Sequence, residues 1–66
     1  MSFEVLSRQA MGDHRQIKFL CDVEGREYRC LALYHEDGAL IGLQIDGPDV
    51  QADLASVVKY LPSPRG

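Results

Sequence analysis

The sequence predicts an α+β fold: an antiparallel β-meander of three or four strands with one C-terminal α-helix packed on one face. Three observations predict it. Apolar residues alternate with polar ones through much of residues 15–45, which is the period of a strand. Turn chemistry at Glu24-Gly25 and His35-Glu36-Asp37-Gly38 divides that stretch at hairpin spacing. Beyond Asp46-Gly47-Pro48 the apolar period changes to that of a helix.

Three strands follow, at residues 15–23, 26–34 and 39–45. A two-residue loop at Glu24-Gly25 pairs Val23 with Arg26, Cys21 with Tyr28, Phe19 with Cys30 and Ile17 with Ala32. A four-residue loop at 35–38 pairs Tyr34 with Ala39, Ala32 with Ile41, Cys30 with Leu43 and Tyr28 with Ile45. A slip by one residue would turn every side chain to the opposite face, so the hydrophobic pattern tests each pairing. Both hairpins place the same residues of the middle strand on one face. With Ile17, Phe19, Cys21, Val23, Tyr28, Cys30, Ala32, Ile41, Leu43 and Ile45 that face is apolar and needs a cover.

The helix supplies it. Pro48 is suited to a first helical turn and Asp49 to the positive end of the helix dipole. Val50, Leu54, Val57, Val58 and Leu61 form one stripe, Lys59 suits the last turn, and Asp53 and Ser56 fall on the outer side. Residues 2–11 read as a strand in preference to a short helix capped by Ser2 and ended by Gly12. A three-residue loop Met11-Gly12-Asp13 would then set Val5 opposite Phe19 and Phe3 opposite Cys21. The organisation expected is a single domain over residues 1–61 and a flexible tail over 62–66, where two prolines stop the helix and nothing apolar follows.

Composition narrows the function classes. A chain of 66 residues buries only about 60% of the surface it exposes when unfolded, so small domains often lean on a disulfide, a metal or another chain. Two cysteines without a basic, apolar leader point to a reducing, cytoplasmic setting. No apolar run approaches the roughly 20 residues of a membrane span. Seven Lys and Arg against ten Asp and Glu, a net charge of −3, weigh against nucleic acid as partner. There is no phosphate-cradling glycine loop, nucleophile elbow or zinc-knuckle spacing, so neither an enzyme nor a cofactor is expected.

Three groups of residues remain as candidates. Cys21 and Cys30 form a diagonal pair about 7–8 Å apart, beyond disulfide range, and read as buried thiols that pack as small hydrophobes. His14 falls opposite His35, with Asp13, Glu36 and Asp37 at the same end of the sheet; His14, His35, Asp13 and Asp37 are donors that a divalent transition metal accepts, or a pH-sensitive cluster. The outer face of the sheet, which a single helix leaves open, carries Leu20, Leu31, Leu33, Leu40 and Gly42, with Leu33 facing Leu40. The segment 40–45 is an edge strand with no lysine, proline or charge to blunt it. These features predict a non-catalytic binding or regulatory protein that acts by association, with a protein partner or as a homodimer, through the open face or the edge strand. A metal- or pH-responsive module built on the His14/His35 end, or an accessory subunit of an enzyme, are the alternatives.

Overall fold

The computed structural model describes residues 2–62 and holds a four-stranded antiparallel sheet in the order β1-β2-β3-β4, followed by one helix. β1 is Ser2–Met11, β2 His14–Val23, β3 Arg26–His35, β4 Leu40–Asp46 and α1 Val50–Lys59. The α+β meander is the predicted one, with the N-terminal segment as its fourth strand.

The β2–β3 hairpin keeps the predicted register throughout, from Val23 opposite Arg26 to His14 opposite His35. Glu24 and Gly25 both take positive φ, 52° and 85°, the two-residue turn whose twist matches that of the strands. The Asp22 carboxylate accepts the Gly25 amide at 3.1 Å.

The outer hairpins reach the predicted faces by different routes. Between β1 and β2 the turn is two residues, Gly12-Asp13, with Met11 opposite His14, rather than the predicted three. A bulge at Leu6 then absorbs one residue, so that Val5 still lies opposite Phe19 and Phe3 opposite Cys21. Between β3 and β4 the predicted pairing is off by two: Ala32 lies opposite Leu43 and Cys30 opposite Ile45. The cause is local. β3 continues to His35, whose amide donates to the Ala39 carbonyl (2.8 Å) and whose carbonyl accepts from Gly38 (2.9 Å), and a bulge follows at Leu40 and Ile41. A shift of two preserves the pleat, so each side chain stays on its predicted face between Gly42 and Ile45.

Ile17, Phe19, Cys21, Val23, Tyr28, Cys30, Ala32 and Tyr34 are buried under Val57 of α1, and Leu43, Ile45, Val50 and Leu61 pack partly buried around them. The helix itself is rotated from the predicted orientation. Asp53, predicted to face outwards, is 3% exposed, whereas Leu54 (45%) and Val58 lie exposed and outside the core; Ser56 is half-buried. The Asp53 carboxylate is drawn in by Arg26, whose Nε and Nη2 donate to it at 2.6 and 2.8 Å, and by the Tyr28 hydroxyl, which also donates to it. A two-pronged guanidinium contact of this kind fixes geometry as well as charge. It outweighs the exposure of two aliphatic side chains on the next stripe of the helix.

Two tyrosines of β3 hold the two ends of this cover. At the start, Asp49 is the N-cap, accepting from the Ala52 amide at 3.3 Å, and its own amide donates to the Tyr28 hydroxyl at 3.2 Å. Pro48 therefore lies just outside the helix rather than in its first turn. At the far end the Tyr34 hydroxyl donates to the Pro62 carbonyl at 2.9 Å. Pro62, assigned to the tail from sequence, is buried and anchored; residues 63–66 of that tail lie outside the described residues. Tyr28 and Tyr34 are about 20 Å apart along the strand, and a ten-residue helix supplies about 15 Å of that distance. Residues 60–62 complete it.

Gly47 is placed by the same tyrosine. A Cβ there would fall on the Tyr28 ring, which hydrogen bonds hold in place, whereas a Cβ at Gly42 would meet nothing within 4 Å. Gly47→Ala should therefore lower stability by about 1–3 kcal/mol, and Gly42→Ala should stay within about 0.5 kcal/mol of the parent. Urea unfolding of the two variants checks this, and equal midpoints would remove the Tyr28 contact as the reason for Gly47.

Candidate binding face

The side of the sheet away from α1 is built by the pleat. Side chains that alternate with the core residues line up in cross-strand rows: Ser2, Asp22 and Glu27; Glu4, Leu20, Arg29 and Asp46; Ser7, Lys18, Leu31 and Gln44; Gln9, Gln16, Leu33 and Gly42; and Met11, His14 and His35. The face is acidic at the β2–β3 turn, carries histidines at the other end, and is mixed in the middle.

The middle holds an open groove of about 870 Å³ floored by Leu20 and Leu31 and bordered by Leu6, Lys18, Arg29, Gln44 and Asp46. The sequence-predicted leucines Leu20, Leu31 and Leu33 are all on this face and half-buried, sheltered by their neighbours rather than fully exposed. Leu33 lies opposite Gly42, not Leu40. Leu40 is exposed but stands opposite Tyr34, because the bulge at the start of β4 takes it out of the open-face alternation. Leu6, the bulge residue of β1, joins the groove instead. In the sequence that bulge is marked by two adjacent apolar residues, Val5 and Leu6, followed by the polar run Ser7-Arg8-Gln9.

Charge in this groove has a specific layout. Leu20 faces Arg29 and Lys18 faces Leu31, so two leucines and two cations occupy alternate corners of one square. Diagonal neighbours on a sheet are about 7–8 Å apart, inside one Debye length at physiological salt. Among the described residues neither Lys18 nor Arg29 takes part in an ion pair, although Asp46 stands across from Arg29. The Asp46 carboxylate lines the same groove across from Arg29, which leaves Lys18 as the cation with no acid directly opposite it.

The histidine end is assembled as the register predicted. The His14 and His35 rings lie 6.2 Å apart, edge to face. Asp13 reaches both, at 3.6 Å to His14 and 3.8 Å to His35, and Asp37 is 3.4 Å from His35. The Ala39 amide and, after it, the His35 imidazole hold the Asp37 carboxyl below its ordinary value. Among the described residues no group of three or more His, Cys, Asp and Glu is arranged to hold a metal.

The two cysteines are free and buried. Burial, and then the neighbouring Cys21, push the Cys30 thiol up to about 11; burial and then Asp22 and Asp53 push Cys21 up as well. Both are therefore thiols at neutral pH and poor nucleophiles. No helix among the described residues is long and apolar enough to cross a membrane. The chain matches no protein-family model, no curated protein and no solved structure.

The one polar cluster that sequence reasoning missed is Arg26, Tyr28 and Asp53, on the covered face. Every buried side-chain nitrogen and oxygen among the described residues has a partner, and this cluster is how the deepest of them are satisfied. Arg26 and, second, the Tyr28 hydroxyl hold the Asp53 carboxyl down at about 2, from an ordinary 3.8. Burial, and then the bond to Asp53, push the Tyr28 phenol up, keeping it a donor. Because the carboxyl is depressed only in the folded state, its stabilisation is complete above pH 3.8 and is lost as pH falls through about 2. Asp53→Asn should be less stable than the parent at pH 7, with the gap narrowing between pH 3.8 and about 2. Urea midpoints at pH 7, 4 and 2 test this, and a gap that does not change with pH would rule out the charged pair as its source.

Proposed function

We propose that this protein is a non-catalytic binding module, and that its open sheet face takes up an amphipathic segment of a partner protein with an apolar seam and acidic flanks. The observation that carries this reading is the square of Leu20, Arg29, Lys18 and Leu31 in the floor of the groove. Its leucines favour an apolar anchor and its cations a carboxylate beside that anchor. A partner helix on this face would repeat the packing that α1 makes on the other, and would complete a layer the fold leaves open. The acidic residues at the β2–β3 turn are screened over about 8 Å at physiological salt, and Asp46, which borders the groove across from Arg29, leaves Lys18 as the cation a partner carboxylate would meet.

Such a module has no need of a catalytic group, and the buried thiols and the satisfied Asp53 cluster are consistent with that. It could serve alone or as the accessory subunit of a larger enzyme. A cytoplasmic location fits the two free thiols.

The test uses isotope-labelled protein and two model helices of leucine and glutamate, or of leucine and lysine, with the same apolar seam. The glutamate peptide should shift the amides of Lys18, Leu20, Arg29 and Leu31 and bind at least tenfold more tightly than the lysine peptide. Leu31→Glu, confirmed as folded by circular dichroism, should abolish the effect. Equal binding of both peptides, or shifts confined to other surfaces, would refute the open face as an acidic-segment receptor.

A further inference from the structure

The two edges of the sheet are not equivalent. β1 is interrupted by the bulge at Leu6 and carries Glu4 and Arg8, devices that discourage pairing with a further strand. β4 has no charge between Leu40 and Ile45, no proline, and its one irregularity lies at its start, so Gly42 to Ile45 form an uninterrupted edge. Ile41 is 50% exposed beside it, while Leu43 and Ile45 are only partly covered by the core.

From this edge we infer that β4 is a self-association strand, which pairs antiparallel with β4 of a second copy about a two-fold axis at Leu43. The register follows from the pleat. A two-fold axis normal to the sheet keeps each residue on its own face, and paired residues must share a face, so the axis passes through a residue and not between two. At Leu43 it pairs Leu43 with Leu43 and Gly42 with Gln44, and brings Ile45 beside Ile41, the exposed residue of the bulge. Leu43 and Ile45 of both copies then form one apolar row on the helix side. At Gly42, Leu40 would meet Gln44 and Ile45 would pass beyond the start of β4; at Gln44, Gly42 would meet Asp46 and Ile41 would pass beyond its end. The Leu43 axis keeps Ile41, Leu43 and Ile45 against one another, with Leu40 and Asp46 at its two ends, and no like charges meet.

The product is an eight-stranded sheet with both helices on one side and both open faces on the other. Because the open-face residues Lys18, Leu20, Arg29 and Leu31 lie on β2 and β3, self-association and partner binding use different surfaces and can fail independently. So few paired residues make a contact at the small end of the range for specific interfaces, so the dimer should be concentration-dependent.

Light scattering coupled to size exclusion, from about 10 μM to 1 mM protein, should show the mass rising from monomer towards dimer over that range. Ile41→Lys, at an exposed position, should keep the parent melting temperature and remain monomeric throughout. Leu31→Glu should still dimerise. Paired residues in an antiparallel ladder are about 4.5–5.5 Å apart between Cα atoms, within disulfide reach, so Leu43→Cys should give a covalent dimer on mild oxidation where the parent and Gly42→Cys do not. A parent that stays monomeric at 1 mM overturns the inference, as does a dimer that survives Ile41→Lys. Cross-linking by Gly42→Cys in place of Leu43→Cys overturns the register.

Discussion

The position of the helix depends on one buried carboxylate. Asp53 accepts a two-pronged guanidinium contact from Arg26 and a bond from the Tyr28 hydroxyl, which together satisfy its buried carboxylate. Leaving that charge in the core alone would be strongly destabilising, which is why its partners fix one arrangement. Here the arrangement is a rotation. Residues 53 and 57 lie on one stripe of α1, residues 54 and 58 on the next, and once Asp53 points inwards Val57 follows it while Leu54 and Val58 turn out. The same phenol takes the Asp49 amide, so the rotation and the start of the helix are set together. Gly47 is the consequence one step back along the chain, since the connection must pass against the Tyr28 ring.

How much of this was legible in the sequence depends on whether a constraint is local. The β2–β3 register was fully readable, because a two-residue turn ending in glycine admits one pairing and the alternation of Ile17, Phe19, Cys21 and Val23 confirms it. The faces of β1 and β4 were readable but their exact partners were not. A bulge changes the count, and its traces in the pattern, the adjacent apolar residues Val5-Leu6 and Leu40-Ile41, do not say which residue is the extra one. The helix was readable as a helix and misread in its rotation. Leu54, Val57, Val58 and Leu61 span two stripes, and hydrophobicity alone cannot choose between them. The choice was written elsewhere: a tyrosine on the core face needs a partner for its hydroxyl, and an arginine at the neighbouring strand end needs an acid. Asp53, one turn into the helix, meets both.

The same reasoning limits what was visible of the candidate site. That the open face holds Leu20, Leu31 and Leu33 follows from parity and survives every register error of two residues. That Leu40 leaves this alternation and Leu6 joins the groove does not, because both changes arise at bulges. The alternation of leucine and cation in the groove was present in the sequence as Lys18-x-Leu20 and Arg29-x-Leu31, two copies of one short pattern on adjacent strands. Antiparallel pairing reverses one copy against the other, and that reversal turns two stripes into a square.

A helix of about 15 Å cannot cover a sheet whose strands run about 33 Å, and the molecule's long axis of 35 Å shows that the sheet extends well beyond it. The fold therefore spends its single helix on the β2–β3 centre, where burial is greatest, and leaves the rest to other means. At β1 the means are a bulge and charges. At the turn ends they are carboxylates and imidazoles. In the groove, partial mutual shelter of the leucines lowers the cost of their exposure, and charged side chains flank them. Between Leu40 and Ile45 β4 has none of these protections, its one charge, Asp46, lying at its end. Every other strand carries charges along its length, so this stretch is the edge at which a further strand would meet least opposition.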